Sequence, residues 1–208
     1  MNTYLIFGDS ISAGRMVRKK EAWPNLLMDC LDKKDNKFTI LYNLSIAGDN
    51  TRDVLDRILD ESKRRIKSAK QFGGKITIIF AIGINDTKIM NKNNKPVTDL
   101  KNFADNINGI TKETKLITSN IYFIGLTRVC ERKIPKEWGV SFKNDNIKRY
   151  NDIVAERCRQ SKIKFINIFK EMDIRNADNF LSSDGLHLNK AGQKLIYTII
   201  NKKIGKNI

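Results

Sequence analysis

Thr3-Tyr4-Leu5-Ile6-Phe7-Gly8-Asp9-Ser10 decides the architecture. Thr3 to Phe7 are β-branched, aromatic or aliphatic, with no charged residue among them. The run is too short for a helix and too uniform for a half-exposed strand, so it reads as a strand buried on both faces, as in a parallel sheet. It stops at Gly8, and an acid and a hydroxyl follow at once. Outward along the chain, runs of the same kind recur at Phe38 to Leu44, Ile76 to Ile82, Ile121 to Leu126 and Lys164 to Ile168. Between them apolar residues return at helical spacing: Val54, Leu55, Ile58, Leu59 and Ile66; Leu100, Phe103, Ala104, Ile107 and Ile110; Ile147, Tyr150, Val154 and Cys158. Ala191, Leu195, Ile196, Ile199 and Ile200 mark a last helix, which gives the order βαβαβαβαβα. Helices between buried strands are crossover connections, and right-handed crossovers on a five-stranded parallel sheet give a doubly wound, three-layer α/β/α sandwich. No boundary interrupts the pattern, so residues 1–208 are expected to form a single domain. Asn91 to Lys95 reads as a polar loop, and Thr127 to Asn144, with Pro135, Trp138 and Gly139, as a long irregular loop facing the substrate.

Composition narrows the function classes. Against 39 Lys plus Arg stand 23 Asp plus Glu, a net charge of +16 over 208 residues. Such a surplus suits phosphate binding through counterion release. The basic residues are scattered, however, from Arg18 to Lys20, Lys63 to Lys67, and at Lys101, Lys112, Lys133, Lys202 and Lys203, with no interleaved aromatic motif. They read as solvated surface: nucleic acid is not an expected partner, whereas weak attraction to an anionic membrane surface is. Cys30, Cys130 and Cys158 show no metal-ligand spacing, and a single histidine cannot build a polyhistidine site, so neither metal nor organic cofactor is expected. The N-terminus lacks a basic region and cleavage pattern, and no run approaches the ~18 apolar residues of a membrane span, so a cytoplasmic location is expected.

Ligands of open α/β sheets bind beyond the carboxyl ends of the strands. Those ends carry Gly8-Asp9-Ser10, Ala47-Gly48-Asp49-Asn50, Gly83-Ile84-Asn85-Asp86 and, after the last strand, Ser183-Asp184-Gly185-Leu186-His187. Ser10 stands where a strand turns toward a helix, a place for a nucleophile or equally for a helix N-cap. Asp184, three residues before the sole histidine, can reach the imidazole Nδ1–H and leave Nε2 free to accept a proton; it can also cap the final helix. Asn85 and Gly48 suit an oxyanion hole, or plain turns.

These four blocks resemble the GDSL-type, or SGNH, serine hydrolases, named for Ser, Gly, Asn and His in separated segments. Phe7 to Ser10 is similar to the first block, Gly48 to the second, Gly83 to Asp86 to the third and Asp184 to His187 to the last. Trp23-Pro24 with Leu26 and Leu27 resembles the family's first helix, and Asn189 with Gly192 its continuation after the histidine. Leu188 departs from the Pro of many members, and Gly125-Leu126-Thr127-Arg128 lacks another. The resemblance implies a flavodoxin-like sheet, Ser10 as nucleophile, His187 as base, Asp184 as its orienter, and Ser10 N–H, Gly48 N–H and Asn85 as oxyanion donors. It implies a serine esterase acting on a small acyl or acetyl ester, lysophospholipid or thioester through an acyl-enzyme. Asp9, Arg15, Arg128 and Trp138 are the expected substrate-binding residues. Met16, Trp138, Val140 and Phe142 suit an acyl pocket or the core, and Arg15 and Arg128 an anionic group or bare surface. A non-catalytic binding module on the same fold and a basic nucleic-acid-binding protein are the competing readings.

Overall fold

The computed structural model describes residues 1–34 and 38–204. In chain order the elements are β1 (Asn2–Gly8), α1 (Trp23–Lys34), β2 (Thr39–Asn43), α2 (Thr51–Arg65), α3 (Lys67–Gln71), β3 (Ile76–Ala81), β4 (Ile89–Met90), β5 (Lys95–Pro96), α4 (Leu100–Lys115), β6 (Ile121–Ile124), β7 (Val140–Ser141), α5 (Asn144–Gln160), β8 (Lys164–Ile166), α6 (Ile168–Ile174) and α7 (Lys190–Ile204). Five strands pair in parallel in the order β2-β1-β3-β6-β8, the flavodoxin-like arrangement. The chain steps one way from β1 to β2 and the other way from β2 onward. Right-handed crossovers therefore set α1 on the face opposite α2, α4 and α5. The packing agrees: α2 lies on α4 and α4 on α5, while α1 lies on α7. The expected three-layer α/β fold is the observed one.

The central strands are apolar throughout because both faces are covered; Leu5, Ile6, Phe7, Ile78, Ile79, Phe80 and Phe123 are completely buried. Register puts Phe7 beside Phe80 and Phe80 beside Phe123, and their rings stack across the sheet with centroids 5.7 and 4.6 Å apart. Each such pair adds about 0.5–1.5 kcal/mol beyond the area it buries. Helix starts are chemically marked. Asn50 accepts from the amides of Arg52 and Asp53 while the Asp53 carboxylate accepts from Asn50 N–H, which closes a capping box on α2.

Several boundaries differ from expectation. Ile168 does not extend the last strand but opens α6, because Asn167 accepts from Lys170 N–H and caps a helix there. Ile66 is the joint between α2 and α3 rather than a turn of one helix. Strands β2, β3 and β6 are shorter than the apolar runs that contain them. Finally, the two supposed loops are joined: Asn91 to Lys95 holds the turn of the hairpin that β4 makes with β5 and, at Lys95, the start of its return strand, while β7, inside Thr127 to Asn144, pairs antiparallel with β4. Pro96 sits on the edge strand, where its missing N–H costs nothing. Among the described residues no helix is long and apolar enough to cross a membrane, and the three cysteines are free.

Candidate active site

Sheet order reverses between β1 and β3, so the loops leaving these two strands part and open a crevice. Ser10 stands at its base. Gly8 has no room for a side chain, since a Cβ there would come within 2.7 Å of Ser12 Oγ and 2.9 Å of the Ala81 carbonyl. The turn that follows is tied down at each step. The Asp9 carbonyl accepts from Ala13 N–H at 2.9 Å and the Ser10 carbonyl from Arg15 N–H at 3.0 Å. Fully buried Gln193, on α7, donates to the Ile11 carbonyl at 2.9 Å and accepts from Trp23 N–H at 3.0 Å, so one side chain holds this turn against α1 and α7.

The last block meets Ser10 from the other side. Ser10 Oγ lies 2.9 Å from His187 Nε2, and His187 Nδ1 lies 2.6 Å from Asp184 Oδ2. The second oxygen of Asp184 accepts from Leu186 N–H at 3.0 Å and His187 N–H at 2.9 Å. Partial burial works to raise the Asp184 pKa, but the His187 ring and these two amides outweigh it and hold the carboxyl below its ordinary value. An ionised Asp184 can only accept, so Nδ1 carries the proton and Nε2 offers its lone pair toward Ser10 Oγ. Gly185 makes the tight turn possible: its φ is +70°, and a Cβ would meet the Cys130 carbonyl at 2.6 Å. Asn189 accepts from Gly192 N–H at 3.0 Å, which starts α7, and a Cβ on Gly192 would strike the Phe180 carbonyl at 2.3 Å. Leu188, the departure from Pro, is fully buried and bridges Leu181.

Gly48 and Asn85 form the facing wall. At φ +93° Gly48 adopts an angle that side-chain-bearing residues avoid, while the space around it is open. Asn85 donates from Nδ2 to the Asp49 carbonyl at 2.8 Å. Behind them Asp86 accepts from Thr51 N–H at 3.0 Å and Thr51 Oγ1 at 2.6 Å, and Arg57 binds Asp49 at 2.7 Å and the Leu44 carbonyl at 2.8 Å. Burial drives the Asp86 pKa upward. Among the described residues neither Ser10 N–H nor Gly48 N–H has an acceptor. A cleft of about 300 Å³ opens over Ser10, Gly48, Asn85 and His187.

The model of the GDSL-like lipase/acylhydrolase family matches residues 6–195. The chain belongs to this family. Among the relatives of this GDSL-like acylhydrolase is an arylesterase of Vibrio mimicus, 24% identical over 98% of this chain and 88% of that protein. A lipase/acylhydrolase of Enterococcus faecalis superposes with a TM-score of 0.78 at 20% identity, over 100% of this chain and 97% of that one. An acetyl xylan esterase of Geobacillus stearothermophilus gives 0.73 at 16% identity, over 98% and 94%. The two solved structures bear on the fold.

The structure sorts the remaining expected residues of the GDSL-like cleft. Trp138, Val140, Phe142 and Arg15 line it, and the Trp138 ring stands edge-on to His187, with centroids 6.5 Å apart. Pairing of Ile89 with Ser141 and Met90 with Val140 fastens this apolar wall to the Asn85 segment. Arg128 is a correction: it leaves the cleft, pairs with Asp173, lies over the Phe169 ring at 5.2 Å and borders a separate cavity. Asp9 is another. The residue is 2% exposed, its carboxylate accepts from Ile11 N–H at 2.9 Å, and it borders a small separate cavity with Ser12, Trp23 and Thr127. Burial, with Asp86 and Asp49 nearby, pushes its pKa up to about 7. Met16 is half exposed and outside the lining. Lys88, Ala47 and Leu186 complete the cleft. Lys88 closes the short turn that starts at Asn85, a register that composition does not reveal. Among the described residues no cluster of three or more His, Cys, Asp or Glu suits a metal ion.

Proposed function

We propose that this acylhydrolase is a single-domain serine esterase, with residues 1–208 as the unit, that hydrolyses carboxylic esters through an acyl-enzyme. The observation that carries the reading is the unbroken chain from Ser10 Oγ to His187 Nε2 at 2.9 Å and from His187 Nδ1 to Asp184 Oδ2 at 2.6 Å, opening onto a cleft. His187 Nε2 takes the Ser10 proton as Oγ bonds to the ester carbonyl carbon. The oxyanion receives hydrogen bonds from Ser10 N–H, Gly48 N–H and Asn85 Nδ2. As the tetrahedral species collapses, the carbon–oxygen bond to the alcohol breaks, and the alcohol leaves with the proton held by His187. Water then gives a proton to His187 and attacks the acyl carbon; the acid departs and Ser10 recovers its proton. Asp184 stays ionised throughout, fixing the ring and stabilising the imidazolium.

A cleft of about 300 Å³ is at the small end for ligand sites, which suits a short acyl or acetyl group against Trp138, Val140 and Phe142. The arylesterase among its relatives is consistent with small esters. Lysophospholipids and thioesters are the larger alternatives. The +16 surface supports weak attraction to anionic membranes. A panel of p-nitrophenyl esters of rising chain length, with an acetylated sugar and a lysophospholipid alongside, tests the reading. Expected is turnover of the acetate and butyrate, reduced about 10⁴-fold or more in His187→Ala. A folded protein that turns over none of them refutes it.

A further inference from the structure

The cleft carries two cations and no carboxylate on its lining: Arg15 and Lys88. Each is fixed by its backbone to a residue of the site. Arg15 N–H donates to the Ser10 carbonyl at 3.0 Å, and the next residue, Met16, holds a φ of +73°. The Lys88 carbonyl accepts from Val97 N–H at 2.8 Å, and Lys88 closes the turn begun by Asn85. Among the described residues neither side chain has an acidic partner. On a chain of +16 many lysines stand alone on the surface, so the neighbouring cavity is the useful contrast. There Arg128 pairs with Asp173 and Arg132 with Asp178, and its positive charge is met from within. Of these two cavities, the cleft over Ser10 is the one whose two positive side chains have no acidic partner among the described residues.

We propose that the preferred substrates of this site are esters bearing a negative group, a carboxylate or a phosphate, close to the scissile bond, and that Arg15 and Lys88 are the residues that select them. The inference rests on the esterase reading above and names its substrate class. Arg15 and Lys88 border the same small cleft as Ser10, so an ester seated on Ser10 brings its charge into a space that both cations line, and at physiological salt charges are screened over ~8 Å. Unit charges ~7 Å apart at an effective dielectric near 20 favour the complex by roughly 50-fold; Lys88 is half-buried and Arg15 exposed, which brings this to at most about tenfold per cation. Neutral esters gain nothing from either residue, so the effect is one of selection between substrates.

Two matched pairs test this: 4-acetoxybenzoate against 4-acetoxybenzamide, and acetylated glycerol 3-phosphate against monoacetylglycerol. In at least one pair the anionic member should be preferred about tenfold or more in kcat/KM, which pair it is telling carboxylate from phosphate. Arg15→Gln and Lys88→Gln should each lower that preference, by at most about tenfold, and the preference should shrink as salt is raised. Absence of preference in both pairs, or a preference that survives both substitutions, overturns the inference. Calorimetric titration of Ser10→Ala with the same compounds separates it from its parent. Anion-dependent binding that needs Arg15 and Lys88, without turnover by the wild type, supports the selection while sinking the esterase reading. Ser10-dependent turnover of both members at equal rates does the reverse.

Discussion

Replacing Asp184 by Asn isolates the electrostatic part of the proposed chemistry, because the exchange keeps the shape of the side chain and removes its charge. In the folded protein the carboxylate does two jobs at once: Oδ2 faces His187 Nδ1 at 2.6 Å, and Oδ1 accepts from the amides of Leu186 and His187. Asn can keep its oxygen on the two amides and must then turn its NH₂ toward Nδ1. That favours the tautomer with hydrogen on Nε2, which points a donor at Ser10 Oγ instead of a lone pair. Both side chains are largely buried, at 4% and 12% exposure, so an effective dielectric near 20 is appropriate. With charge centres ~4 Å apart, carboxylate and imidazolium attract by about 4 kcal/mol, or about three decades of rate. The wrong tautomer adds about one more, for a loss near 10⁴ in kcat, as in other Ser-His-Asp triads given the same exchange. Steady-state hydrolysis of p-nitrophenyl acetate measures it, and thermal unfolding should show a protein shifted by only a few degrees, since the backbone hydrogen bonds survive. A loss below about tenfold in a folded variant would refute the assignment of Asp184 as the group that orients and stabilises His187.

Three further outcomes are expected. Asn85→Ala removes one proposed oxyanion donor and should lower kcat about 10²- to 10³-fold on the same ester; an unchanged kcat removes Asn85 from the oxyanion hole. Asp9→Asn should alter stability with a definite sign. Because the Asp9 pKa is pushed up to about 7, the folded protein holds a proton that the unfolded chain has lost, and its stability falls as pH rises from the unfolded value of 3.8 to about 7. The variant lacks this loss, so denaturant titrations should find its stability relative to wild type rising by on the order of 3 kcal/mol between pH ~5 and pH ~8; a constant difference denies the burial argument. Asp184, with its pKa lowered, acts in the opposite sense, contributing stability above its ordinary pKa that is lost as acid protonates it. Arg128→Ala should leave kcat/KM on 4-acetoxybenzoate within about twofold, and a loss near tenfold would restore Arg128 to the substrate site.

Strands buried on both faces write themselves as uninterrupted apolar runs, which is why β1, β3 and β6 were legible from Thr3, Ile76 and Ile121 onward. Their ends were less so. Ile168 looks like more strand until Asn167 is seen to cap a helix, a side-chain-to-backbone bond that hydrophobic period does not encode. The small sheet of β4, β5 and β7 escaped for another reason: two-residue strands have no period, and Met90 finds Val140 only after the chain has folded. Ser10 and Asn85 could be placed beside one crevice because topology alone sends the carboxyl ends of β1 and β3 there, whereas Asp184 and His187 were marked only by their three-residue spacing. What topology withholds is the direction in which a loop leaves. Arg128 follows β6 at the correct end of the sheet yet turns toward Asp173, and Asp9 points inward beside a Ser10 that points out. Lys88 was missed because its place depends on the short turn from Asn85, the same turn that gives it its proposed part in selecting anionic esters.

The fold and the proposed chemistry meet in one residue. Ser10 lies on a turn fixed by Gly8, by its own carbonyl bond to Arg15 and by Gln193 beneath, so its hydroxyl is held toward His187. Incubation with a labelled fluorophosphonate, followed by mass spectrometry of the digested protein, tests the central claim most directly. Covalent label on Ser10, lost in Ser10→Ala and strongly slowed in His187→Ala, is the predicted result. A folded protein with His187 intact that leaves Ser10 unlabelled would contradict the account.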